Sequence, residues 1–438
     1  MDTNGWDFVC ACSFDKLNQL LAIQFTKTPL KMHYIDGQDG TTIDALFDAW
    51  RIIDGGGGTK LHIEMLVKTG KASATDLISG TVTAAIDGLV MVVEIDLAFL
   101  SDKAAAKSHL KFNFLSVSKT LGDPKTGAFT VVNPDLHGLL PSQGAIWTAL
   151  DNHVPDWLIG NNDFLAYIFA SLNLAPSGGA SWLTPFGARY YSTSGTAGSP
   201  GYLAIMGMVT DANTSKLQTT IDPALCDGKH DICIAYTRRV FLEHVVMPKL
   251  PASYPGSTAA YFTMDYDSII NLGGLQCPAV RYGLIDYYPV LSDLTISIDG
   301  ANLVSKGAGR FDITGLTKSY VTFTETAKMK LDFDSASGNL TLSKDGTPVT
   351  DHDTTIPWWL YVVAAPTLLI VGPLVVVIVD VIIASVSAAI ANSVSQNSGN
   401  LDLSNWSATA IDFPGGKSWT VQDAGLSSAF YMRCALNT

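Results

Sequence analysis

Three side chains in the segment CDGKHDIC have the types that hold a transition metal: Cys226, His230 and Cys233. Thiolate and imidazole suit zinc, but a structural site takes four ligands and no fourth stands at a usual spacing. Asp332 and Asp334 ahead of Gly338 hint at a calcium loop, yet the position that should supply the next oxygen is Ala336, so a plain hairpin is the reading. DGGGGTKL fails as a phosphate loop because Lys60 is followed by Leu61 instead of Ser or Thr, and its glycines read as a hairpin loop. His137 and Ser142 in NPDLHGLLPSQ have no partner in the sequence that would turn either into a catalytic pair. Neither a G-x-S-x-G elbow nor an H-E-x-x-H pair occurs. The expectation is a protein that is not an enzyme, with no catalytic residue, no metal and no cofactor.

The elements that would position any site are written in hydrophobic periodicity. Alternation marks half-buried strands: Leu61, Ile63, Met65 and Val67; Phe112 and Phe114; Leu294, Ile296 and Ile298. Turn signals separate them, at the glycine run 55–58, at Gly338-Asn339 and at Asp345-Gly346, so the sheets read as antiparallel hairpins. One helix starts from Ser13 as N-cap, turns Phe14, Leu17, Leu20, Leu21 and Phe25 inward, and stops before Pro29. Residues 7–21 align without gaps on 231–245 as strand, cap and helix, with Ser13 matched by Thr237, which suggests two related halves, 1–224 and 225–438, within a single body 1–438.

The most apolar stretch, WWLYVVAAPTLLIVGPLVVVIV at 358–379, is long enough to span a bilayer. Pro366 and Pro373 lie inside it and no Lys or Arg anchors either side, which favours a buried segment. Beyond it, Val379, Ile383, Val386, Ile390 and Val394 form one apolar stripe, with Asp380, Ala384, Ser387 and Ala391 opposite. The reading is a helix over 374–396, enclosed on most sides by protein. Trp358 and Trp359 with the stripe residues are the candidate lining of a hydrophobic groove, or core.

Composition narrows the function classes. The 438 residues are 47% hydrophobic and 15% charged, which describes a globular chain with much apolar surface to hide. A net charge of −13 without any basic cluster excludes a nucleic-acid partner and a simple electrostatic grip on anionic lipid. Six cysteines are too few for a disulfide scaffold. The amino terminus MDTNGWDFVCACSFDK has no basic and apolar leader pattern, so the protein is expected to be made without a signal peptide, cytoplasmic or released by a non-classical route.

Gly5, Trp6 and Asp7 with the capped helix from Ser13, the FLEHVVMPKL segment 241–250 and the PWW-to-GP segment 357–373 resemble a group of bacterial proteins. These are the accessory proteins encoded beside some clostridial neurotoxins, the OrfX group and its forty-seven-kilodalton companion, with relatives in insecticidal toxin clusters. That group resembles the tubular lipid-binding (TULIP) superfamily. The resemblance implies an α+β, elongated fold with long helices wrapped by strongly curved antiparallel sheets. It implies a lipid- or hydrophobe-binding accessory function, with a lipid or acyl chain and a toxin or other cluster-encoded protein as partners. A membrane-active, insecticidal or pore-forming component and an unrecognised enzyme remain the alternatives, and the sequence fixes no oligomeric state.

Overall fold

The computed structural model describes every residue except 77, 79, 134, 135, 137, 139, 162–166, 197, 198, 358–360 and 395–401, and leaves out the side chains at 339, 361–370, 388–394, 402 and 403. The described residues form two compact units. The first comprises 9–233, 406–419 and 435–438, and the second 1–8, 234–405 and 420–434. The helices are α1 (Phe14–Lys27), α2 (Gly144–Gly160), α3 (Arg238–Phe241), α4 (Tyr361–Val394) and α5 (Asp402–Ala410). Strands outnumber them, and the class is α+β with curled antiparallel sheets.

In the first unit the chain leaves an extended strand at Ser13, whose hydroxyl accepts from the Lys16 N–H and caps α1. That bond satisfies one of the donors a helix start leaves open. The buried face of α1 carries Phe14, Leu17, Leu20, Leu21 and Phe25, the 3.6-residue period made physical. Phe25 stacks on Tyr167 with ring centroids 3.9 Å apart. Gly201 is required beside Phe14, because a Cβ there would fall 2.3 Å from the ring.

Curvature in this unit comes from one long strand that changes partners. Residues 60–66 of Lys60–Asp76 pair with 90–96, residues 67 and 69–73 pair with Thr42–Phe47, and 71–76 pair with Gly80–Ala85. A strand cannot follow two neighbouring ladders without bending and twisting between them. Leu61, Ile63, Met65 and Val67 face the core, and α2 lies against this strand with Ile146, Leu150, Val154 and Leu158 buried.

The second unit holds a meander: Phe262–Asp265, Ser268–Asn271, Val290–Asp299, Asn302–Asp312, Tyr320–Asp334 and Asn339–Lys344 pair in sequence, all antiparallel. Tyr320–Asp334 again serves two partners, 349–355 along its first half and 339–344 along its second. Its inward positions are Val321, Phe323, Glu325, Ala327, Met329 and Leu331. Thr237 accepts from the Val240 N–H and starts α3, which continues as a π turn, Leu242–Val246, and a 3-10 segment, Met247–Ser253. The strand–cap–helix arrangement at Ser13 therefore recurs at Thr237.

The helix read as 374–396 begins earlier, at Tyr361, and passes through Pro366 and Pro373. It packs on the run 242–253 and on the strands 320–334, 339–344 and 349–355. Over 371–387 the burial pattern leaves one stripe of α4 uncovered. Val371, Leu374, Val375, Ile378, Val379, Ile382, Ile383 and Val386 are buried, while Pro373, Val376, Asp380 and Ala384 are exposed. Those exposed positions recur every three or four residues, so α4 over 371–387 is covered except along one open side. Among the described residues no helix is long and apolar enough to cross a membrane.

Candidate functional site

In the second unit the buried side of α4 packs on the run 242–253 and on the strands 320–334, 339–344 and 349–355. Val379, Ile383 and Val386 lie in that contact, Ile390 and Val394 belong to α4 with side chains outside the description, and Trp358 and Trp359 lie outside the described residues. Burying an aliphatic side chain is worth roughly 1.5–3 kcal/mol, so this face dominates what holds α4 in place. Ser385, also on the buried side, donates its hydroxyl to the Val381 carbonyl at 2.9 Å, which removes an unpaired polar group from the contact. On the open side Asp380 forms an ion pair with Lys344.

One inward position of the sheet breaks the apolar pattern. Glu325 is 3% exposed, receives a hydrogen bond from the Ser305 hydroxyl at 2.9 Å on one carboxyl oxygen, and has its other oxygen without a partner among the described residues. Gly307 faces it across the register, and a Cβ there would lie 3.0 Å from the carboxyl. Burial pushes the Glu325 carboxyl up to about 7, against the opposing pull of Ser305. The Tyr254 hydroxyl, also buried without a partner, is raised by burial and by Glu325 among its neighbours. At neutral pH Glu325 thus sits at the balance between a neutral donor–acceptor and a buried charge. Alternation alone marked this residue, since Glu325 occupies an apolar-face position of VTFTETAKMKL; the reading passed over it.

In the first unit buried charges are matched. Lys60 faces Asp96 at 3.1 Å and His62 faces Glu94 at 3.2 Å, in directly opposed register. The Gly127 N–H donates to Asp96 at 2.8 Å and the Gly122 N–H to Glu94 at 2.5 Å. The glycine run is a hairpin, as read, and it has a second role: a Cβ on Gly55 would fall 2.4 Å from the His62 ring. His109 contacts the Ser171 hydroxyl at 2.7 Å and Asp102 at 3.8 Å, a serine–histidine–aspartate order. Ser171 is 2% exposed, which keeps a substrate from its hydroxyl, and burial lowers the His109 pKa.

A further polar group lies where the turn after Lys31–Ile35 meets α2. His153 touches Asp39 at 3.2 Å and the Tyr34 hydroxyl at 2.9 Å, and ligand atoms of Asp36, Asp39 and His153 lie within 4.8 Å of one another. No spacing could have found it, because the imidazole is more than a hundred residues from the carboxylates. An apolar cavity under α2, lined by Met32, Phe47, Met65, Val67, Leu150 and Val154 among others, holds only about 10 Å³, so the core side chains already fill it.

The remaining sequence candidates do not assemble. Cys226, His230 and Cys233 are not among the groups that could hold a metal in the described residues; His230 pairs with Asp227 at 2.9 Å and Cys233 is buried in a strand. Asp334 accepts from the Ala336 N–H at 3.0 Å and Asp332 from the Ser343 hydroxyl at 2.6 Å, which makes the pair part of a hairpin. Ser142 is exposed, and His137 lies outside the described residues.

Comparison with known proteins agrees with the fold. Protein P47 of Clostridium botulinum (strain Kyoto / Type A2) is 26% identical over 360 residues, which are 80% of this chain and 83% of that protein. Protein OrfX3 of the same strain is 24% identical over 285 residues, 59% of this chain and 56% of that protein. The structure of P47 from Clostridium botulinum A2 superposes with a TM-score of 0.81 at 23% identity, covering 99% of this chain and 98% of that one. The crystal structure of P47 of Clostridium botulinum E1 gives 0.76 at 22% identity, with 99% of each covered. With the OrfX-like family model, Protein OrfX2/OrfX3/P47, matching residues 3–402, the chain belongs to the OrfX-like family.

Proposed function

We propose that the chain works by binding, as a non-enzymatic accessory protein of a bacterial toxin gene cluster that takes up an apolar ligand along α4. The ligand is a lipid or acyl chain, or an apolar segment of a cluster-encoded protein. One observation carries the reading: between 371 and 387 the open side of α4 exposes Pro373, Val376 and Ala384, with Asp380 the sole charge in that span. A helix back meant only for water would carry several Lys and Glu. Val376 is 51% exposed, and covering it would remove apolar area from water without disturbing the packed side.

Native mass spectrometry of the purified full-length protein, before and after extraction with organic solvent, tests this. A mass excess that solvent removes, and that Val376→Asp abolishes while the variant stays folded, is the expected result. Identical masses for wild type before and after extraction would sink the lipid and acyl-chain reading. A membrane-active component is a second reading, favoured by the same weakly charged α4; leakage of dye-loaded liposomes caused by wild type and lost in Val376→Asp would select it instead.

A further inference from the structure

We propose that Asp36, Asp39 and His153 form a binding site for a divalent transition-metal ion of the zinc or manganese class. Two elements converge there. The turn joining Lys31–Ile35 to Thr42–Phe47 supplies both carboxylates, and α2 supplies the imidazole.

The spacing fits an ion as well as it fits a hydrogen bond. Metal–ligand bonds of about 2.1 Å place neighbouring ligand atoms roughly 3.0–3.4 Å apart, and His153 Nε2 lies 3.2 Å from Asp39 Oδ2. One oxygen of each carboxylate is held by the turn's own backbone, and the other Asp39 oxygen faces the imidazole. Asp39 Oδ1 accepts from the Thr41 N–H at 2.8 Å, and Asp36 Oδ1 from the Gln38 N–H at 2.7 Å. The Thr41 backbone N–H thus fixes the Asp39 carboxylate with Oδ2 turned toward the imidazole.

The second observation is the support behind the imidazole. Tyr34 stacks on the His153 ring at 4.9 Å and its hydroxyl contacts Nδ1 at 2.9 Å, which turns Nε2 toward the carboxylates. Metal-binding histidines are commonly oriented in this way through the other ring nitrogen. A phenol suits both states. Without metal it donates to Nδ1 while Nε2–H donates to Asp39; with metal, the ion replaces the Nε2 proton, which passes to solvent, and the phenol accepts from Nδ1–H. A third observation is room: a surface cavity of about 480 Å³ is bordered by Asp39, Thr41, Thr148, Asn152 and His153, which leaves open coordination positions for water or an anion. Mixed imidazole and carboxylate donors favour zinc, manganese or nickel over calcium and magnesium, which prefer oxygen alone.

Titration of the chelator-treated full-length chain with zinc chloride, followed by calorimetry, tests the proposal. Wild type should take up one ion with a saturable isotherm that weakens as pH falls. Asp39→Asn and His153→Gln should each weaken binding by roughly 100-fold, and Tyr34→Phe, which removes only the orienting contact, by roughly 10-fold. Circular dichroism checks each fold, and Asp36→Asn replaces any variant that fails it. The absence of saturable zinc binding by wild type, or binding left unchanged by the Asp39 and His153 variants, overturns the proposal; in the second case the ion is held elsewhere, for example by Cys226.

Discussion

Lys60 meets Asp96 and His62 meets Glu94 across one register of the first unit, whereas in the second unit Glu325 projects into an apolar face with one carboxyl oxygen unpartnered. Both arrangements place ionisable groups on strands that curl. In the first, the opposing strand and two glycine N–H groups give both carboxylates partners. In the second, the residue opposite is Gly307, which offers no side chain, and the carboxyl is held neutral up to about pH 7. Matched burial ties two strands of a unit together. Unmatched burial makes its stability a function of pH.

That contrast can be broken from either side. Lys60→Met should be the most damaging change, since it leaves Asp96 buried opposite an apolar chain; a loss of about 3–5 kcal/mol is expected in urea unfolding. Ile378→Ala, which opens a cavity under the covered side of α4, should cost about 2–4 kcal/mol, while Val376→Ala on the open side should stay within about 0.5 kcal/mol. Glu325 predicts a slope. Its folded pKa is raised above the unfolded value, so the folded state keeps a proton that the unfolded state has released. Stability from this group is full below about pH 4.5, falls as pH rises toward 7, and is lower by on the order of 3 kcal/mol above that. Glu325→Gln should remove this dependence in chemical unfolding measured between pH 4 and 8. The smallest test of paired sites is Ser13→Ala against Thr237→Ala, each losing about 1 kcal/mol through an uncapped helix start.

Strand faces, caps and the α4 stripe at Val379, Ile383 and Val386 were legible in the chain because each rests on neighbours within a few residues. Leu61, Ile63, Met65 and Val67 are buried at a period of two, and Ser13 accepts from the N–H three residues on. The glycines at 55–58 were readable as a hairpin but not as the backing of His62, since nothing local tells which side chain a backbone will meet. Helix α4 starts at Tyr361, ahead of the 374–396 read from the stripe, and runs through Pro366 and Pro373. Proline removes one donor from a helix, and packing of the apolar side can outweigh that loss.

The sequence by itself determined that this is a β-rich chain with an apolar helix near its end, since alternation and a 3.6-residue stripe follow from backbone geometry alone. Tertiary structure alone decided which charges were matched. The register that sets Lys60 against Asp96 and Gly307 against Glu325, and the docking of α2 that carries His153 to Asp39, depend on contacts between residues far apart in the chain. A one-residue slip would have broken both strand pairings without altering the periodicity of the strands.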